Sequence, residues 1–232
     1  MPDPIQTRRL ATIVALDQAV GRILDKLKQA RVDQNTIVFF TGDNGGHPEN
    51  RSENTPLRDY KWTLYEGGIR VPFLISWPGR VKPTVFDQPV IQLDAAATAL
   101  AVAGVEVKPE WKLDGTNLLP YLAEGKTGAP HDALYWRFGD QTAIRAGDFK
   151  LDRYDSNADT QTGAGGQRVT SAKLYNLASD PGEAKDLAAE QPEKVAELQA
   201  KWSTWNQQNV KPLWGGRGDG DGVEPGAAPN KR

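Results

Sequence analysis

The sequence contains no cysteine among its 232 residues. This absence excludes disulfide bonds, cysteine-ligated zinc, iron–sulfur clusters and a thiol nucleophile. Long apolar runs are also missing, since the longest purely apolar stretches have about five residues and a membrane-spanning helix needs about 20. Residues 1–9 lack the apolar core of a secretory signal peptide. These absences predict a chain that does not cross a membrane and that, as written, starts in the cytoplasm.

The sequence also lacks a large excess of charge of either sign. Its 28 Lys and Arg residues against 30 Asp and Glu residues give a net charge of −2, which argues against general binding to nucleic acid. With 38% hydrophobic and 25% charged residues, the composition is typical of a water-soluble globular protein. The length fits one large domain or two small ones, with a core that needs no cross-links.

The N-terminal part carries a helical pattern followed by strand patterns. Asp3-Pro4 is typical of a helix start, with Asp as N-cap and Pro at the first helical position. Apolar residues then recur every three or four positions, which predicts an amphipathic helix that ends near Arg31. Two short apolar runs, 36–41 and 71–76, predict strands buried on both faces, as in a parallel sheet.

Residues near the middle of the chain are assigned structural roles. Asp94 is expected to cap an Ala-rich helix with Gly104 as its C-cap. His131 is interpreted as a surface or capping residue. Four tryptophans either belong to the core or form a carbohydrate-binding surface, and composition does not separate these alternatives. They are Trp62, Trp77, Trp111 and Trp136.

From about residue 129 the pattern changes to short strands joined by Gly-Asp turns. The strand candidates 133–137, 141–145 and 149–151 have a spacing that predicts an antiparallel meander. The segment 173–177 is a further strand candidate. Pro192 is expected to open a final helix with an apolar face of Val195, Leu198, Trp202 and Trp205. The polar, Gly-rich segment 155–172 is predicted to be a mobile loop, and the Gly- and Pro-rich segment 212–232 a disordered tail.

Asp43 and Asn44 follow the first predicted strand directly. In open α/β sheets, ligands bind beyond the carboxyl ends of the strands, and carboxylate and amide oxygens are the hard donors that Ca²⁺ and Mg²⁺ prefer. Asp, Asn and Gly are also common turn residues. Taken alone, the pair therefore indicates either a metal site or an ordinary turn.

A longer set of motifs extends in order from about Arg8 to Trp205. It comprises Thr41-Gly42-Asp43-Asn44-Gly45-Gly46, Pro56-Leu57-Arg58, Lys61-Trp62, Glu66-Gly67-Gly68-Ile69-Arg70-Val71-Pro72, Ser76-Trp77-Pro78-Gly79-Arg80, Leu113-Asp114-Gly115, Leu118-Leu119-Pro120, Ala143-Ile144-Arg145, Asp148-Phe149-Lys150-Leu151, Leu174-Tyr175-Asn176-Leu177 and Asp180-Pro181-Gly182-Glu183. Each motif is short, but the ordered set strongly resembles the sulfatase family, the formylglycine-dependent arylsulfatases of the alkaline phosphatase superfamily.

This resemblance implies an α/β fold class, in which a partial sulfatase-type mixed sheet with helices precedes a small antiparallel sheet packed on a C-terminal helix. The implied division is 1–128 for the α/β core with an Asp-Asn metal half-site, 129–211 for the antiparallel sheet with its helix, and 212–232 for the tail. Family members are commonly periplasmic, lysosomal or secreted, whereas the chain as written carries no export signal.

The resemblance also assigns roles to individual residues. Asp43 and Asn44 take the positions of two ligands of one divalent ion, usually Ca²⁺, with Mg²⁺, Mn²⁺ and Zn²⁺ as alternatives. Lys61 takes the position of a sulfate-binding lysine, and Arg58 is grouped with it as substrate-binding. His47 is considered for its spacing and not for the resemblance, because it lies four residues after Asp43. It is either a general acid or a further metal ligand at the same pocket, or a loop residue without a chemical role. Glu66 and Arg70 are interpreted as an ion pair that holds the loop.

The nucleophile motif of the family is a Cys or Ser followed by x-Pro-x-Arg, and it precedes the Asp-Asn pair. Ser76-Trp77-Pro78-Gly79-Arg80 matches this pattern by its letters, but it follows the Glu-Gly-Gly motif and continues differently. Such a short pattern has a high false-positive rate. No formylglycine is therefore expected, and the chain resembles the C-terminal half of a sulfatase.

The first functional hypothesis is a metal-dependent hydrolase fragment that acts on a small sulfate or phosphate ester, with metal-activated water in an oligomeric site. The alternative is a non-catalytic sulfatase subunit or remnant that needs an N-terminal partner. Strands that lack sheet neighbours leave unpaired edges and apolar faces. A homodimer or larger homo-oligomer is therefore expected, with neither nucleic acid nor membrane as a partner.

Overall fold

The computed structural model describes residues 3–139, 141–153 and 171–210. The α-helices of this part are α1 (Pro4–Gln29), α2 (Glu66–Ile69), α3 (Leu93–Val102), α4 (Leu119–Leu122) and α5 (Pro192–Gln207). The strands are β1 (Val38–Thr41), β2 (Phe73–Ser76), β3 (Leu134–Phe138), β4 (Gln141–Ala146), β5 (Phe149–Arg153) and β6 (Lys173–Asn176). The predicted tail and most of the predicted loop 155–172 lie outside the described residues. None of the described helices has the length and apolar character needed to cross a membrane.

Helix α1 starts as its sequence predicts. The Asp3 carboxylate accepts a hydrogen bond from the amide of Ile5 at 2.9 Å, and Pro4 takes the first helical position. The predicted apolar stripe is present, but no residue of α1 is buried. Its exposed members include Leu10, Ile13, Leu16, Ile23 and Leu24. The apolar face of this helix is therefore largely uncovered by the other described residues.

Strands β1 and β2 pair with each other in an antiparallel two-stranded sheet, with Phe39 opposite Ile75. The expectation that both strands are buried on both faces in a parallel sheet is wrong for this pair. Phe40 and Leu74 face each other in the register and are both exposed. The composition of a strand favours burial, but burial also needs covering layers, and the described residues do not supply them on this face.

Helix α3 begins two residues earlier than predicted, with Gln92 as its N-cap, so Asp94 lies in its first turn. The Asp94 carboxylate is fully buried and accepts hydrogen bonds from the amides of Ile91 and Thr116, both at 2.8 Å. Asp94 thus holds two chain segments together at the start of the helix. Gly104 follows the helix end with a φ of +68°, the left-handed conformation expected of a C-terminal glycine.

Strands β3, β4 and β5 form the predicted antiparallel meander, and β6 pairs with β5, which gives the order β3-β4-β5-β6. The buried apolar residues Ile144, Leu151 and Leu174 lie on neighbouring strands and pack with Leu198 of α5. Trp205 of α5 stacks on Tyr135, with ring centroids 5.1 Å apart. The α/β fold class, with a small antiparallel sheet packed on a C-terminal helix, is confirmed.

Candidate functional site

The segment after β1, residues 42–46, crosses closely over the segment that contains α2. The amide of Gly45 donates to the carbonyl oxygen of Gly68 at 2.9 Å. A Cβ atom on Gly45 would lie 1.7 Å from the carbonyl oxygen of Gly67, which no side chain can tolerate. Glycine at position 45 therefore allows a direct backbone contact between the two segments. We call residues 42–46 the Asp-Asn turn.

Residues 58–66, which we call the Lys61 turn, are attached to the Asp-Asn turn through Gly46. The amide of Lys61 donates to the carbonyl oxygen of Gly46 at 3.2 Å. The side chain of Asn54 joins the same region, because its Oδ1 accepts from the amide of Gly46 at 2.9 Å and its Nδ2 donates to the carbonyl oxygen of Asp59 at 3.0 Å. These bonds bring the backbone of Lys61 beside the residues that follow Asp43 and Asn44.

Asp43 is exposed and Asn44 is partly exposed. Neither side chain makes a hydrogen bond or ion pair within the described part of the chain, so their oxygens are available to a ligand. One carboxylate and one amide oxygen suit Ca²⁺ or Mg²⁺, which take six or more oxygen ligands. The described residues contain no group of three or more His, Cys, Asp or Glu side chains that could hold a metal ion. The donor chemistry fits a hard cation, and the two donors are fewer than such an ion takes, so metal binding by the pair stays a prediction.

The side chain of Lys61 lies against the residue that follows it. Its Nζ is 5.2 Å from the centroid of the Trp62 ring, within the range of a cation–π contact. Trp62 has a φ of +83°, and its carbonyl oxygen accepts from Nε2 of Gln141 on β4 at 2.9 Å. The lysine predicted to bind sulfate is therefore partly exposed beside an aromatic ring.

Arg58 occupies a different environment from Lys61. Its guanidinium lies 4.1 Å from the centroid of the Tyr65 ring and donates to the Tyr175 hydroxyl at 3.1 Å and to the carbonyl oxygen of Glu183 at 2.9 Å. These contacts tie the Lys61 turn to the C-terminal region. Its predicted role in substrate binding stays a prediction, and the contacts themselves are those of a structural arginine.

His47 caps the 3₁₀ turn Pro48–Asn50, since its Nδ1 accepts from the amide of Glu49 at 3.3 Å. Its ring also meets the Tyr60 ring edge to face, with centroids 5.8 Å apart. These contacts place His47 as a cap within the loop, and its role as a metal ligand stays a prediction. A role in proton transfer stays a prediction.

The interpretation of His131 as a surface or capping residue is wrong. Its Nε2 lies 2.8 Å and 3.0 Å from the two carboxylate oxygens of Asp94, and its side chain is nine-tenths buried. Asp94 is buried with its amide partners, and the imidazole completes the shell around the carboxylate. A carboxylate removed from water needs hydrogen-bonding partners, and this need explains why the His131 side chain is buried beside Asp94.

A buried group of charges lies beneath the Lys61 turn. Lys150 on β5 places its Nζ 2.7 Å from Glu183 Oε1, 3.1 Å from Glu66 Oε1 and 3.8 Å from Asp152 Oδ2. The same Nζ donates to the carbonyl oxygen of Leu64 at 2.6 Å. The predicted Glu66–Arg70 ion pair is also present at 3.7 Å. We call Lys150, Glu66, Glu183 and Asp152 the Lys150 cluster.

The pKa values in the Lys150 cluster reflect burial and mutual charge. Burial alone would lower the pKa of Lys150, but the surrounding carboxylates of Glu66, Asp152 and Glu183 outweigh it and raise the pKa. Burial raises the pKa of Asp152 to about 7, against the attraction of Lys150. Burial also raises the pKa of Glu183, opposed by the ion pair and hydrogen bond with Lys150. The cluster therefore holds a charged lysine and one carboxyl group that takes up a proton near neutral pH.

The roles of Gln141 and the Lys150 cluster were not found from the sequence. Lys150 and Glu183 lie within motifs of the ordered set, but nothing local shows that these residues meet Glu66. One feature of the sequence could have indicated the cluster. Lys150 and Asp152 are charged residues within a strand that also has apolar residues, and a charge buried in such a strand needs a partner of opposite charge.

The tryptophans considered for carbohydrate binding divide into two groups. Trp77 is buried and donates to the carbonyl oxygen of Gln34 at 3.1 Å, and Trp136 is partly buried on β3. Trp62 and Trp111 are exposed. Trp77 is therefore a core residue, and of this set only Trp62 lies beside a predicted site residue.

Comparison with known proteins gives consistent matches along the chain. The profile of the family described as Sulfatase matches residues 4–105, and the profile described as N-sulphoglucosamine sulphohydrolase, C-terminal, matches residues 58–208. A sulfatase of Formosa agariphila is 31% identical over 237 aligned residues, which cover 92% of this chain and 42% of that protein. The human N-acetylgalactosamine-6-sulfatase is 40% identical over 116 residues, which cover 48% of this chain and 22% of that protein.

Solved structures agree with the sequence matches. The crystal structure of Ps i-CgsB in complex with k-i-k-neocarrahexaose superposes with a TM-score of 0.79 at 27% identity, and covers 92% of this chain and 46% of that one. The crystal structure of the PsFucS1 sulfatase from Pseudoalteromonas sp. superposes with a TM-score of 0.67 at 22% identity and shows a shared fold. The chain spans less than half the length of each of these relatives.

Proposed function

This chain belongs to the sulfatase family, and from that premise we propose that its residues 42–70 supply the metal-binding and sulfuryl-binding part of an active site that hydrolyses carbohydrate sulfate esters. The observation that carries the proposal is the backbone crossing of the Asp-Asn turn and the Lys61 turn. The bonds from Gly45 to Gly68 and from Lys61 to Gly46 join two segments that resemblance alone had assigned to one site.

Asp43 and Asn44 are the residues that would hold a divalent ion, for which Ca²⁺ is the first candidate. Support comes from their hard oxygen donors and from the absence of competing partners within the described residues. When bound, such an ion supplies positive charge that polarises the ester and lowers the pKa of water. Further ligands would have to come from groups outside the described residues, from substrate or from a partner chain.

Lys61 would bind a sulfuryl oxygen through its ammonium group. A fixed cation near the ester stabilises the negative charge that develops as the bond to the leaving oxygen breaks. Arg58 and His47 enter the proposal as positioning residues, because Arg58 anchors the Lys61 turn to Glu183 and His47 caps the following 3₁₀ turn.

Carbohydrate sulfates are proposed as the substrate class on the names of two relatives. One acts, by its name, on N-acetylgalactosamine 6-sulfate, and another was crystallised with an oligosaccharide. The exposed ring of Trp62 beside Lys61 is compatible with a sugar. Aryl sulfates and phosphate esters are the comparison substrates that test this assignment.

The test measures sulfate release from a sulfated monosaccharide and from an aryl sulfate, and phosphate release from a phosphomonoester, each with and without Ca²⁺. We expect release from the sulfated sugar to exceed the other two and to depend on the ion. Asp43→Ala and Lys61→Ala should each lower that rate at least tenfold. Asp25→Ala and Lys28→Ala, which alter exposed positions of α1, are the matched controls and should leave the rate unchanged.

Full activity in both Asp43→Ala and Lys61→Ala would refute the site assignment. A chain that binds neither Ca²⁺ nor inorganic sulfate in calorimetry, alone or with a complementing polypeptide, would refute the proposed function as a whole. Faster hydrolysis of the phosphomonoester than of any sulfate ester would refute the substrate class.

A second candidate function is a subunit that contributes this half-site to a complex with another sulfatase-type polypeptide. Two observations favour it, the exposed apolar stripe of α1 and the presence of two metal donors where a hard ion takes six or more. Mixing the chain with the N-terminal half of a related sulfatase tests this candidate. Activity that appears only in the mixture would support it, and activity of the chain alone would exclude it.

A further inference from the structure

Side chains of the C-terminal region hold the backbone of the Lys61 turn at three successive points. Gln141 Nε2 donates to the carbonyl oxygen of Trp62 at 2.9 Å, and Lys150 Nζ donates to that of Leu64 at 2.6 Å. The amide of Glu66 donates to Glu183 Oε2 at 2.7 Å. The conformation of the turn is therefore determined by residues that lie far from it in sequence.

The first of these contacts is made to a strained residue. Trp62 has a φ of +83°, and a bulky residue in the left-handed region is an outlier that persists only when its surroundings enforce it. The Trp62 carbonyl oxygen points to Gln141, so the hydrogen bond from β4 acts on the peptide group whose orientation this φ value sets.

Gln141 is poorly explained as a packing residue. Only 1% of its surface is exposed, and its Oε1 has no hydrogen-bond partner within the described residues. A buried, unpaired acceptor costs free energy, which a methionine of similar length would avoid. The donation to Trp62 is the contact that accounts for an amide at this position.

The orientation of Trp62 matters because its ring lies under Lys61. The Lys61 backbone is held by Gly46 at 3.2 Å, and its Nζ lies 5.2 Å from the Trp62 ring centroid. A lysine side chain has four rotatable bonds and loses much conformational freedom when it is fixed. A ring in a set orientation restricts where the ammonium group resides.

We propose that Gln141 is a positioning residue for Lys61: its amide holds the strained peptide of Trp62, and the indole ring then restricts where the ammonium group of Lys61 lies. The inference rests on the proposed function in one respect, the sulfuryl-binding role of Lys61. The placement of Lys61 by Gln141 does not depend on that role and can be measured without turnover.

The test uses reductive ¹³C-dimethylation of the lysines of the full chain, which keeps their positive charge, and NMR of the methyl groups. The Lys61 signal is assigned by its loss in Lys61→Arg. We expect it upfield of the other lysine signals, because the group lies near the face of an indole ring. In Gln141→Met the signal should move to the position of exposed lysines, and the affinity for inorganic sulfate, measured by calorimetry, should fall at least tenfold.

Gln141→Leu is the second variant, because it removes the amide donor with a smaller apolar side chain and adds no charge at a buried position. It should reproduce the loss of the upfield signal even if Gln141→Met fails to fold. Gln207→Met, at an exposed position of α5, is the matched control and should leave the signal and the affinity unchanged.

An upfield Lys61 signal that persists in a folded Gln141 variant would overturn the proposal, as would a wild-type signal without an upfield shift. If the wild-type signal is shifted and both variants lose the shift, the positioning role holds whatever the affinity for sulfate. Failure of wild type to bind sulfate would then count against the proposed function alone.

Discussion

Lys150 Nζ lies 2.7 Å from Glu183 Oε1 in a fully buried ion pair. The other carboxylate oxygen of Glu183 accepts from the amide of Glu66 at 2.7 Å, so one ion pair joins β5, the loop after β6 and the start of α2. Buried charges are costly to remove from water, and they are retained where each finds a partner. The pair thus connects the C-terminal sheet to the segment that carries the candidate site.

Replacement of Lys150 by methionine should destabilise the chain strongly. The substitution keeps most of the volume, leaves the buried carboxylate of Glu183 without its lysine and leaves Glu66 with only the Arg70 pair. Breaking a buried ion pair in this way typically costs about 3–5 kcal/mol. Urea unfolding followed by circular dichroism measures the change. Lys185→Met, which alters an exposed lysine, is the control and should change stability by less than about 0.5 kcal/mol.

The double variant Lys150→Met/Glu183→Gln distinguishes electrostatics from packing. The double variant also removes the buried negative charge of Glu183, which Lys150→Met leaves without a partner. It should therefore recover part of the stability that Lys150→Met loses. Equal stability of the single and the double variant would show that the charge of Glu183 contributes little.

Asp152 should make the chain less stable as the pH rises from about 4 to about 7. Its folded-state pKa is raised to about 7 from the usual 3.8 because of burial, so in this interval the folded state holds a proton that the unfolded state has released. Stability therefore falls with rising pH. Lys150, Glu66, Glu183 and Arg58 are the charged groups around it.

Asp152→Asn should flatten this pH dependence and raise stability at pH 8. Thermal unfolding at pH 5, 6, 7 and 8 measures the stability of wild type and variant. Subtracting one stability from the other at each pH cancels the contribution of titrating groups that the two chains share. A difference that is constant across these pH values would contradict the raised pKa.

Gly45→Ala tests the crossing of the two turns. The new Cβ would lie 1.7 Å from the carbonyl oxygen of Gly67, so the Asp-Asn turn must move away from α2. We expect a loss of about 1–3 kcal/mol in stability, as for overpacking in a core, and at least tenfold weaker binding of Ca²⁺.

Gly21→Ala is the matched substitution for this experiment. Gly21 lies within α1, and a Cβ there would meet nothing within 4 Å. Because alanine favours helix over glycine, stability should rise by up to about 1 kcal/mol. Similar effects of the two substitutions on stability and on Ca²⁺ binding would show that the crossing does not control the site.

The elements that could be predicted from the sequence are those with local causes. Asp3-Pro4 starts α1 through a cap two residues away, and Gly104 ends α3 through its left-handed φ. The pairing of β3 with β4 and of β4 with β5 follows from short strands with short connections. These features depend on neighbours along the chain, which periodicity and turn chemistry capture.

The Lys150 cluster could not be predicted in this way. Lys150 and Glu66 are 84 residues apart, and Glu66 and Glu183 are 117 residues apart, so no local pattern shows that they meet. Resemblance placed Asp43 and Lys61 in one site, but the residues that support the site come from long-range packing. The antiparallel pairing of β1 with β2 was not predicted, because an apolar run indicates a buried strand and not the direction of the strand beside it.

The exposed stripe of α1 leads to the last prediction, which concerns association between chains. Ile13 and Leu16 are 51% and 52% exposed and lie one turn apart on the stripe. An apolar face of this kind favours burial against another surface, and we expect copies of the 25.4 kDa chain to associate through it. Light scattering after size-exclusion chromatography should give at least twice the monomer mass for wild type.

Ile13→Glu/Leu16→Glu should shift that mass to a monomer, because two buried carboxylates without partners oppose association by several kcal/mol. Gln18→Glu adds negative charge to the opposite face of α1 and should leave the mass unchanged. Each variant must keep the wild-type circular dichroism spectrum, which separates lost association from lost folding. A wild-type chain that elutes as a monomer at every concentration would exclude self-association, and the same stripe would then be the surface to probe with the N-terminal half of a related sulfatase.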